Sequence, residues 1–384
     1  MKKLIRITTI PGSINGLLRG QLKFMSAHYE VIGISSNDEG FLEEVSEREN
    51  FRPIAVEMSR KISPLMDIIG VFKLYRIIKK EKPFIVHTHT PKAGTLGMMA
   101  AKLAGVPHRL HTIAGLPLME ATGTKRKILN KVEKITYACA TKIYPHSYGL
   151  KTIILNNKFT TEDKLKVIGN GSSNGINTEH FNPKHYNNEF CIELRKEWNI
   201  DKNDFVFVFI GRLVTDKGIN ELIAAFNKLS QNTTNIKLLL VGKEEEHLDP
   251  LKPETLLSIK TNKQIVFAGW QNDVRPYFAI SNALVFPSYR EGFPNVVLQA
   301  GAMELASIVT DINGCNEIVS HNENGIIVPA KNTEKLYEAM QAFLLKTKDE
   351  LTAMGKKSRD RIVKMYDQQF VWDTLLKEYK SLKR

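Results

Sequence analysis

Apolar positions along the chain fall into short runs separated by longer amphipathic stretches. Residues 4–10 are largely apolar, and 17–27 carry apolar residues at helical spacing. The pattern repeats with strand-like runs at 31–35, 52–56, 84–87, 109–112 and 142–145, and helix-like stretches at 41–48, 64–80, 94–104 and 125–139. A short helix and strand close the series at Ile168. Strict alternation of this kind predicts a parallel sheet with helices on both faces. A glycine- and serine-rich stretch, 169–177, and a polar run at 183–188 read as a linker. The alternation then starts again, with strands at 204–211, 237–241, 264–267, 283–286 and 307–310, and helices at 220–229, 253–260, 274–281, 317–320 and 333–344. Helices at 360–365 and 369–382 end the chain. The expected fold is α/β: two tandem doubly wound, Rossmann-like domains, 1–182 and 183–366, with 367–384 packing back toward the first. Ligands of such sheets bind beyond the carboxyl ends of the strands, which predicts a site on facing edges of an interdomain cleft.

The most informative stretch is 287–299, from Pro287 through Glu291, Gly292, Phe293, Pro294 and Asn295 to Gln299. It follows the apolar run Ala283-Leu284-Val285-Phe286 and leads into apolar residues at helical spacing, so it reads as strand, tight loop, helix. Pro294 suits a first helical turn, where a missing N–H costs nothing. The open amides around Asn295, with the helix dipole, make an anion site. A carboxylate beside such a site suits a neutral, hydroxyl-rich group attached to the anion, as in a nucleotide sugar. Taken alone, the stretch is equally compatible with Glu291 capping the helix and Gln299 lying on the surface. A second loop, Gly211-Arg212-Leu213-Val214-Thr215-Asp216-Lys217-Gly218, places an arginine and a lysine between glycines at a strand end. Two cations there suit a diphosphate. The spacing is not that of a Walker loop. Alone, both are ordinary solvated bases; beside the 287–299 loop on one sheet edge they favour a ligand.

Composition narrows the class. Of 384 residues, 42% are hydrophobic and 25% charged, the balance of a folded water-exposed protein, and Lys and Arg exceed Asp and Glu by 54 to 41 for a net charge of +13. That excess suits an anionic partner. Cys139, Cys191 and Cys315 are far apart and lack metal-ligand spacing, so they read as reduced thiols of a cytoplasmic protein. The basic opening Met1-Lys2-Lys3 runs into a strand interrupted by Arg6 rather than a signal peptide. No apolar run is long enough to span a bilayer.

Taken together, Gly211-Arg212-Leu213 to Lys217-Gly218 and Pro287-Ser288 to Glu291-Gly292-Phe293-Pro294, with Asp273-Val274 between them, resemble the retaining glycosyltransferases of family 4, which have the GT-B fold. Further matching motifs are Phe267-Ala268-Gly269-Trp270, 314–319, 324–329, His87-Thr88-His89-Thr90-Pro91-Lys92 and 169–177, so the likeness covers essentially the whole chain. It implies an acceptor-binding first domain and a donor-binding second one. In these roles Arg212 and Lys217 neutralise the leaving diphosphate and Glu291 holds the donor sugar. Gly12, Gly211, Gly292, Phe293, Pro294 and Asn295 approach sugar and phosphate, Gly269 and Trp270 face the base, and Gln299 bonds the ribose. His89, His111 and Lys92 fall on the acceptor side. No cofactor and no metal are implied, and the chain has no Asp-x-Asp.

Two positions depart from the family pattern. Gln299 stands where relatives have a second glutamate, giving a hydrogen bond without charge assistance, and Ala114 stands where many place a histidine. His87 and His89 alternate on one strand face but lack a third metal ligand. Lys73, Arg76, Lys79, Lys80 and Lys82 alternate with Phe72, Tyr75, Ile77 and Ile78, and Lys125, Arg126, Lys127, Lys131 and Lys134 follow. Such a face is either a solvated helix or a contact with anionic lipid. The expected function is transfer of a hexose or N-acetylhexosamine from a UDP-linked sugar to a polyprenyl-diphosphate-linked saccharide, at the inner face of the membrane, in capsule, lipopolysaccharide or other glycan assembly. The competing readings are a sugar-nucleotide epimerase of the same architecture and a nucleic-acid-binding protein. The latter lacks any zinc spacing or recognition-helix pattern, so no nucleic-acid partner is expected.

Overall fold

The computed structural model describes residues 1–59, 63–116, 118, 121–245 and 249–383. The chain forms two compact units, Met1–Gly175 with Gln369–Arg384, and Ile176–Gln368. Those limits differ by a few residues from the 182 and 366 boundaries that the polar linker suggests.

In the first unit, β1 (Lys3–Ile7), β2 (Glu30–Ser35), β3 (Arg52–Ala55), β4 (Ile85–Thr88), β5 (His108–Ile113) and β6 (Lys142–Pro145) form a parallel sheet in the order β3-β2-β1-β4-β5-β6. Its helices are α1 (Pro11–Leu17), α2 (Gln21–Ser26), α3 (Phe41–Glu49), α4 (Pro64–Glu81), α5 (Pro91–Leu103), α6 (Gly123–Cys139) and α7 (Tyr148–Asn156). Prolines at the first position start α1, α4 and α5, where their fixed φ suits a helix and the absent N–H is not missed. Strand side chains alternate between two cores. Ile5, Ile7, Ile32 and Val86 meet Leu74, Leu96 and Tyr137 on one face; Leu4, Val31 and Ile85 meet Leu22 and Leu42 on the other.

The second unit repeats the topology. Strands β7 (Phe205–Ile210), β8 (Ile236–Val241), β9 (Ile265–Gly269), β10 (Ala283–Phe286), β11 (Ala306–Thr310) and β12 (Gly325–Val328) run parallel in the order β12-β11-β10-β7-β8-β9. Around them lie α8 (Asn188–Glu197), α9 (Ile219–Ser230), α10 (Pro253–Thr261), α11 (Arg275–Ala279), α12 (Asn295–Ala302), α13 (Cys315–Ile318), α14 (Thr333–Leu344) and α15 (Lys348–Tyr366). The last helix, α16 (Gln368–Ser381), belongs to the first unit for all but its first residue. The order of strands reverses between β1 and β4 in one unit and between β7 and β10 in the other.

Several elements differ from the periodicity. The stretch 17–27 is broken, because Gly20 adopts φ 79° and its amide turns onto the Glu49 carboxylate at 2.8 Å. A side chain there would overlap the Trp372 ring. Helix α8 forms where the sequence is polar, started by the Asn187 side chain accepting from the Phe190 amide at 2.8 Å. No strand forms between α7 and Ile168; Leu165 makes only an isolated bridge to Ile143. Helix α15 is longer than its apolar spacing indicates, since a capping box at Thr347 and Glu350 starts it in charged sequence.

The fourth residue of β1 is charged and wholly buried. Arg6 donates from Nε to His89 Nε2 at 3.1 Å, from Nη1 to the Tyr379 hydroxyl at 3.2 Å and from Nη2 to Gln21 Oε1 at 2.6 Å. Among the described residues it has no carboxylate partner. Gln21 in turn donates to Asn174 Oδ1 at 3.1 Å, which also accepts from Trp372 Nε1 at 2.6 Å. This network ties β1, α2, the 169–175 segment and α16 together, so the glycine-serine stretch acts here as packing. A buried guanidinium is tolerated only while its donors are satisfied. Tyr379→Phe removes one acceptor from it, and a loss of about 2 kcal/mol is expected in chemical denaturation. An unchanged midpoint would show that Tyr379 contributes only its ring.

Candidate functional site

At the reversal point of the second sheet, the loops that follow β7 and β10 touch. Gly218 holds φ 72°, and a Cβ there would overlap the Pro287 carbonyl oxygen, so only glycine permits this approach. The Tyr289 amide donates to the Asp216 carbonyl at 2.9 Å, and Arg290 Nη2 pairs with the Asp216 carboxylate at 2.9 Å. Between these clamps Lys217 Nζ forms an ion pair with Glu291 Oε1. Ser288 Oγ donates to the same oxygen at 2.9 Å, and Asn313 Nδ2 donates to the Glu291 carbonyl. The pair is mostly buried, at 17% and 16% exposure, so both side chains are held in place rather than waving in solvent.

Helix α12 begins directly after this loop. Pro294 is its N-cap rather than a residue of its first turn, and its carbonyl accepts from Val297 at 3.2 Å and Leu298 at 3.4 Å. The Asn295 and Val296 amides have no acceptor among the described residues, the condition in which a helix start attracts an anion. Asn295 is exposed and Gln299, one turn on, is half-buried on the same side. Phe293 is buried with its ring 5.3 Å from that of Tyr366, so it positions the loop from below. Gly292 is buried beside Gly314.

The neighbouring strands add to this edge. Gly211 donates to the Val241 carbonyl at 2.9 Å, and the Gly269 carbonyl accepts from Gly242 at 2.8 Å. Trp270, 62% exposed, lies under Lys243 Nζ at 5.2 Å from the ring centroid. Arg212 is half exposed and pairs with Glu245 at 2.7 Å. Thus Arg212, Lys217, Gly211, Gly269, Trp270, Glu291, Gly292, Phe293, Pro294, Asn295 and Gln299 all lie along one edge of the second unit. Gly12 is on the first unit, at the start of α1. The sequence reading missed Asp216, Glu245, Ser288 and Asn313. Asp216 and Ser288 stand inside the two motifs and carry no periodic or spacing signal; Asn313, before a glycine and a helix start, is the one a turn signature marks.

Of the two acceptor-side histidines, only His89, just after β4, stands at the carboxyl edge of the first sheet. His89 is buried, with Nε2 accepting from Arg6, which assigns its proton to Nδ1. His111 does not reach the edge: it bonds Thr88 Oγ1 at 2.8 Å, and Gly94 leaves the room its ring fills. It is a packing residue rather than a group offered to substrate. His87 bonds Thr112 Oγ1 at 2.7 Å and the Tyr379 hydroxyl, leaving neither nitrogen for a metal. Lys92, at the start of α5, pairs with Asp67 at 2.7 Å. Among the described residues no three His, Cys, Asp or Glu side chains are placed to hold a metal ion. Cys139, Cys191 and Cys315 are free thiols, and burial pushes that of Cys315 well above its usual range.

Comparison with known proteins gives these edges a context. Residues 192–361 match the family model described as "Glycosyl transferases group 1", and residues 17–147 match "Glycosyl transferase 4-like". The chain is 32% identical over 380 residues to the capsular polysaccharide biosynthesis glycosyltransferase CapM of Staphylococcus aureus, covering 99% of this chain and 97% of that protein. It is 30% identical over 314 residues to the UDP-Gal:alpha-D-GlcNAc-diphosphoundecaprenol alpha-1,3-galactosyltransferase of Escherichia coli, with 80% and 77% covered. Among solved structures, Anabaena HepE in complex with UDP superposes with a TM-score of 0.81 at 17% identity, covering 100% of each chain. A glycosyltransferase from Rickettsia africae gives 0.80 at 21%, covering 99% and 98%. The fold is that of the GT-B glycosyltransferases, two Rossmann-like domains in tandem. The chain belongs to the family 4 glycosyltransferases.

The buried histidines give the first unit an acid limit. Burial, with the nearby Arg6 charge, holds His87 and His89 well below the ordinary imidazole range; burial takes His111 down to about 4 and His146 to about 3. The unfolded chain binds these protons near pH 6.5, and the folded chain does not until far lower. Stability is therefore whole above about pH 6.5 and falls as pH drops, by roughly 2 kcal/mol at about pH 5 for His111 alone. Thermal melts across this range check it; a flat profile would mean that the rings titrate alike in the folded and unfolded chains.

Proposed function

We propose that this glycosyltransferase moves a hexose or N-acetylhexosamine from a UDP-linked sugar to a saccharide carried on a polyprenyl diphosphate, with retention at the anomeric carbon and without a metal ion. The observation that carries the reading is the Lys217–Glu291 pair beside the open amides of α12. A cation, a carboxylate and a helix start within one loop pair match a group that is anionic at one end and hydroxylated at the other. The names of the capsular and diphosphoundecaprenol relatives support the acceptor class.

In this reading the donor diphosphate lies on the Asn295 and Val296 amides and draws Lys217 and Arg212 onto its oxygens. Each cation is already held by one carboxylate, Glu291 or Glu245, so it is positioned before the ligand arrives. Multiple phosphate charges compete well against a single carboxylate. Glu291, released in part from Lys217, accepts from the sugar hydroxyls, Gln299 bonds the ribose, and Trp270 covers the base. The bond from the anomeric carbon to the phosphate oxygen breaks with its electron pair leaving on phosphate. The acceptor oxygen bonds the same face of the sugar and passes its proton to that phosphate oxygen. The protein supplies position and positive charge, which is where such catalysis gains most.

UDP added without metal is expected to raise the melting temperature of the wild type and not of Arg212→Ala, and excess chelator should change neither result. Lys217→Ala should lower turnover by about 100-fold or more with little effect on the acceptor KM. Equal losses in both would remove Lys217 from the role of leaving-group stabiliser.

The same reading places the protein at a lipid surface. No described helix is long and apolar enough to cross a membrane. On α4 the buried stripe is only Gly70, Leu74 and Ile78. Contrary to the alternation seen in sequence, Ile78 is core and Tyr75 and Ile77 are half-buried; the exposed apolar side chains lie earlier, at Leu65, Met66, Ile68, Ile69 and Phe72. Lys73, Arg76, Lys79 and Lys80 are exposed on the same helix, and Lys125, Lys127, Lys131 and Lys134 on α6. Apolar side chains next to lysines suit an anionic leaflet. The protein should sediment with anionic liposomes at low salt and be released at high salt; protein left in the supernatant at low salt would count against attachment.

A further inference from the structure

Between α4 and α5 the first unit has an apolar groove of about 570 Å³. Ile68, Val71 and Phe72 form one wall, and Leu96, Met99 and Leu103 the other. Gly70 lets the two helices approach, since a Cβ there would stand 3.2 Å from Leu96. Along α5 the groove runs from Thr95 to Leu103, about 12 Å at helical rise. Its two ends differ in chemistry. One is polar: Asp67 and Thr95 line it, and Asp67 holds the Lys92 ammonium at 2.7 Å at the positive start of α5. The other ends on Leu103, which is 67% exposed and unpartnered by any apolar core.

We infer that this groove seats the first isoprene units of the acceptor's polyprenyl chain, with the diphosphate at the Lys92 end and the chain leaving past Leu103. The inference rests on the lipid-linked acceptor proposed above and assigns where on the protein that lipid is read. The groove is apolar along its length and carries the Asp67–Lys92 ion pair at one mouth, where the several charges of a diphosphate compete with a single carboxylate for the ammonium, so it suits one hydrocarbon chain bearing an anionic head. It is a poor match to a second copy of this chain, because Lys73 and Arg76 flank the groove and would face their own like. Asp67 keeps Lys92 extended at the groove mouth, and a diphosphate competes for the same ammonium. The chain is thereby gripped by the enzyme as well as by the bilayer, which fixes how far the saccharide stands from Lys92.

The test uses the full-length protein without membranes and with saturating UDP, so that the nucleotide site is filled. Farnesyl diphosphate and inorganic diphosphate are titrated by calorimetry. The wild type is expected to bind farnesyl diphosphate at least tenfold more tightly, and Met99→Trp, which fills the groove, is expected to abolish that preference. Leu103→Glu, at an exposed position where folding is not at stake, should do the same. Leu65→Glu, on the exposed strip outside the groove, should keep it. Equal binding of the two probes by the wild type, or a preference that survives both groove substitutions, overturns the groove. A preference lost equally in Leu65→Glu assigns the effect to the strip, and probe-induced dimers in light scattering assign it to a second copy; either also overturns it. In all of these cases UDP still binds, so the donor reading stands; absence of UDP binding is the separate result that would strike that reading.

Discussion

The reversal of strand order between β7 and β10 is the constraint on which the candidate site depends. Adjacent parallel strands whose following helices pass to opposite faces leave two loops side by side with no helix between them. Here those loops carry Lys217 and Glu291, and the absence of a side chain on Gly218 lets the backbones meet. Asp216 then locks the second loop through both its carbonyl and its carboxylate. The ion pair follows from that closeness; it does not create it.

Charge is handled differently in the two units. Along the edge of the second unit Lys217 and Arg212 are each paired with one carboxylate, Glu291 and Glu245, and keep 17% and 49% of their side-chain exposure. In the first unit Arg6 is surrounded by neutral acceptors and closed off, so it is structural, and burial, with its charge as a second cause, keeps His87 and His89 neutral. Two clusters of titratable groups at equivalent sheet edges thus serve different ends. The first fixes α16 to β1 through Tyr379; the second holds its cations in ion pairs with Glu291 and Glu245.

The amphipathic helices divide in the same way. α9 buries Leu222, Ile223, Phe226 and Leu229 against its sheet, as a core helix does. α4 buries only Gly70, Leu74 and Ile78, packs Val71, Tyr75 and Ile77 partly against the core, and leaves Leu65, Met66, Ile68, Ile69 and Phe72 exposed. Periodicity alone treats the two helices alike, since it registers that apolar residues recur and not how many faces they occupy.

How much was legible in the chain can be argued from particular residues. The short Val- and Ile-rich runs and the proline-started helices are local signals, fixed by period and backbone chemistry, and they marked eleven of the twelve strands and most helices; β12 (Gly325–Val328), a four-residue edge strand, went unread. The loops at 211–218 and 287–299 were visible because glycine and proline at a strand end have few other uses. Arg6 was visible as an interruption of an apolar strand, but its burial was not, because that depends on Tyr379 and Gln21, far away in sequence. His111 looked like a site residue until its ring was found filling the space that Gly94 leaves. Glu245 and Ser288 were unmarked for the same reason: each acts through a partner brought to it by the strand order. The sequence by itself determined which segments are strands, which are helices and which loops are special, since these rest on interactions within a few residues. Tertiary structure decided which charges are paired, which histidines are closed off and which apolar faces stay uncovered, since these rest on contacts between residues that only folding brings together.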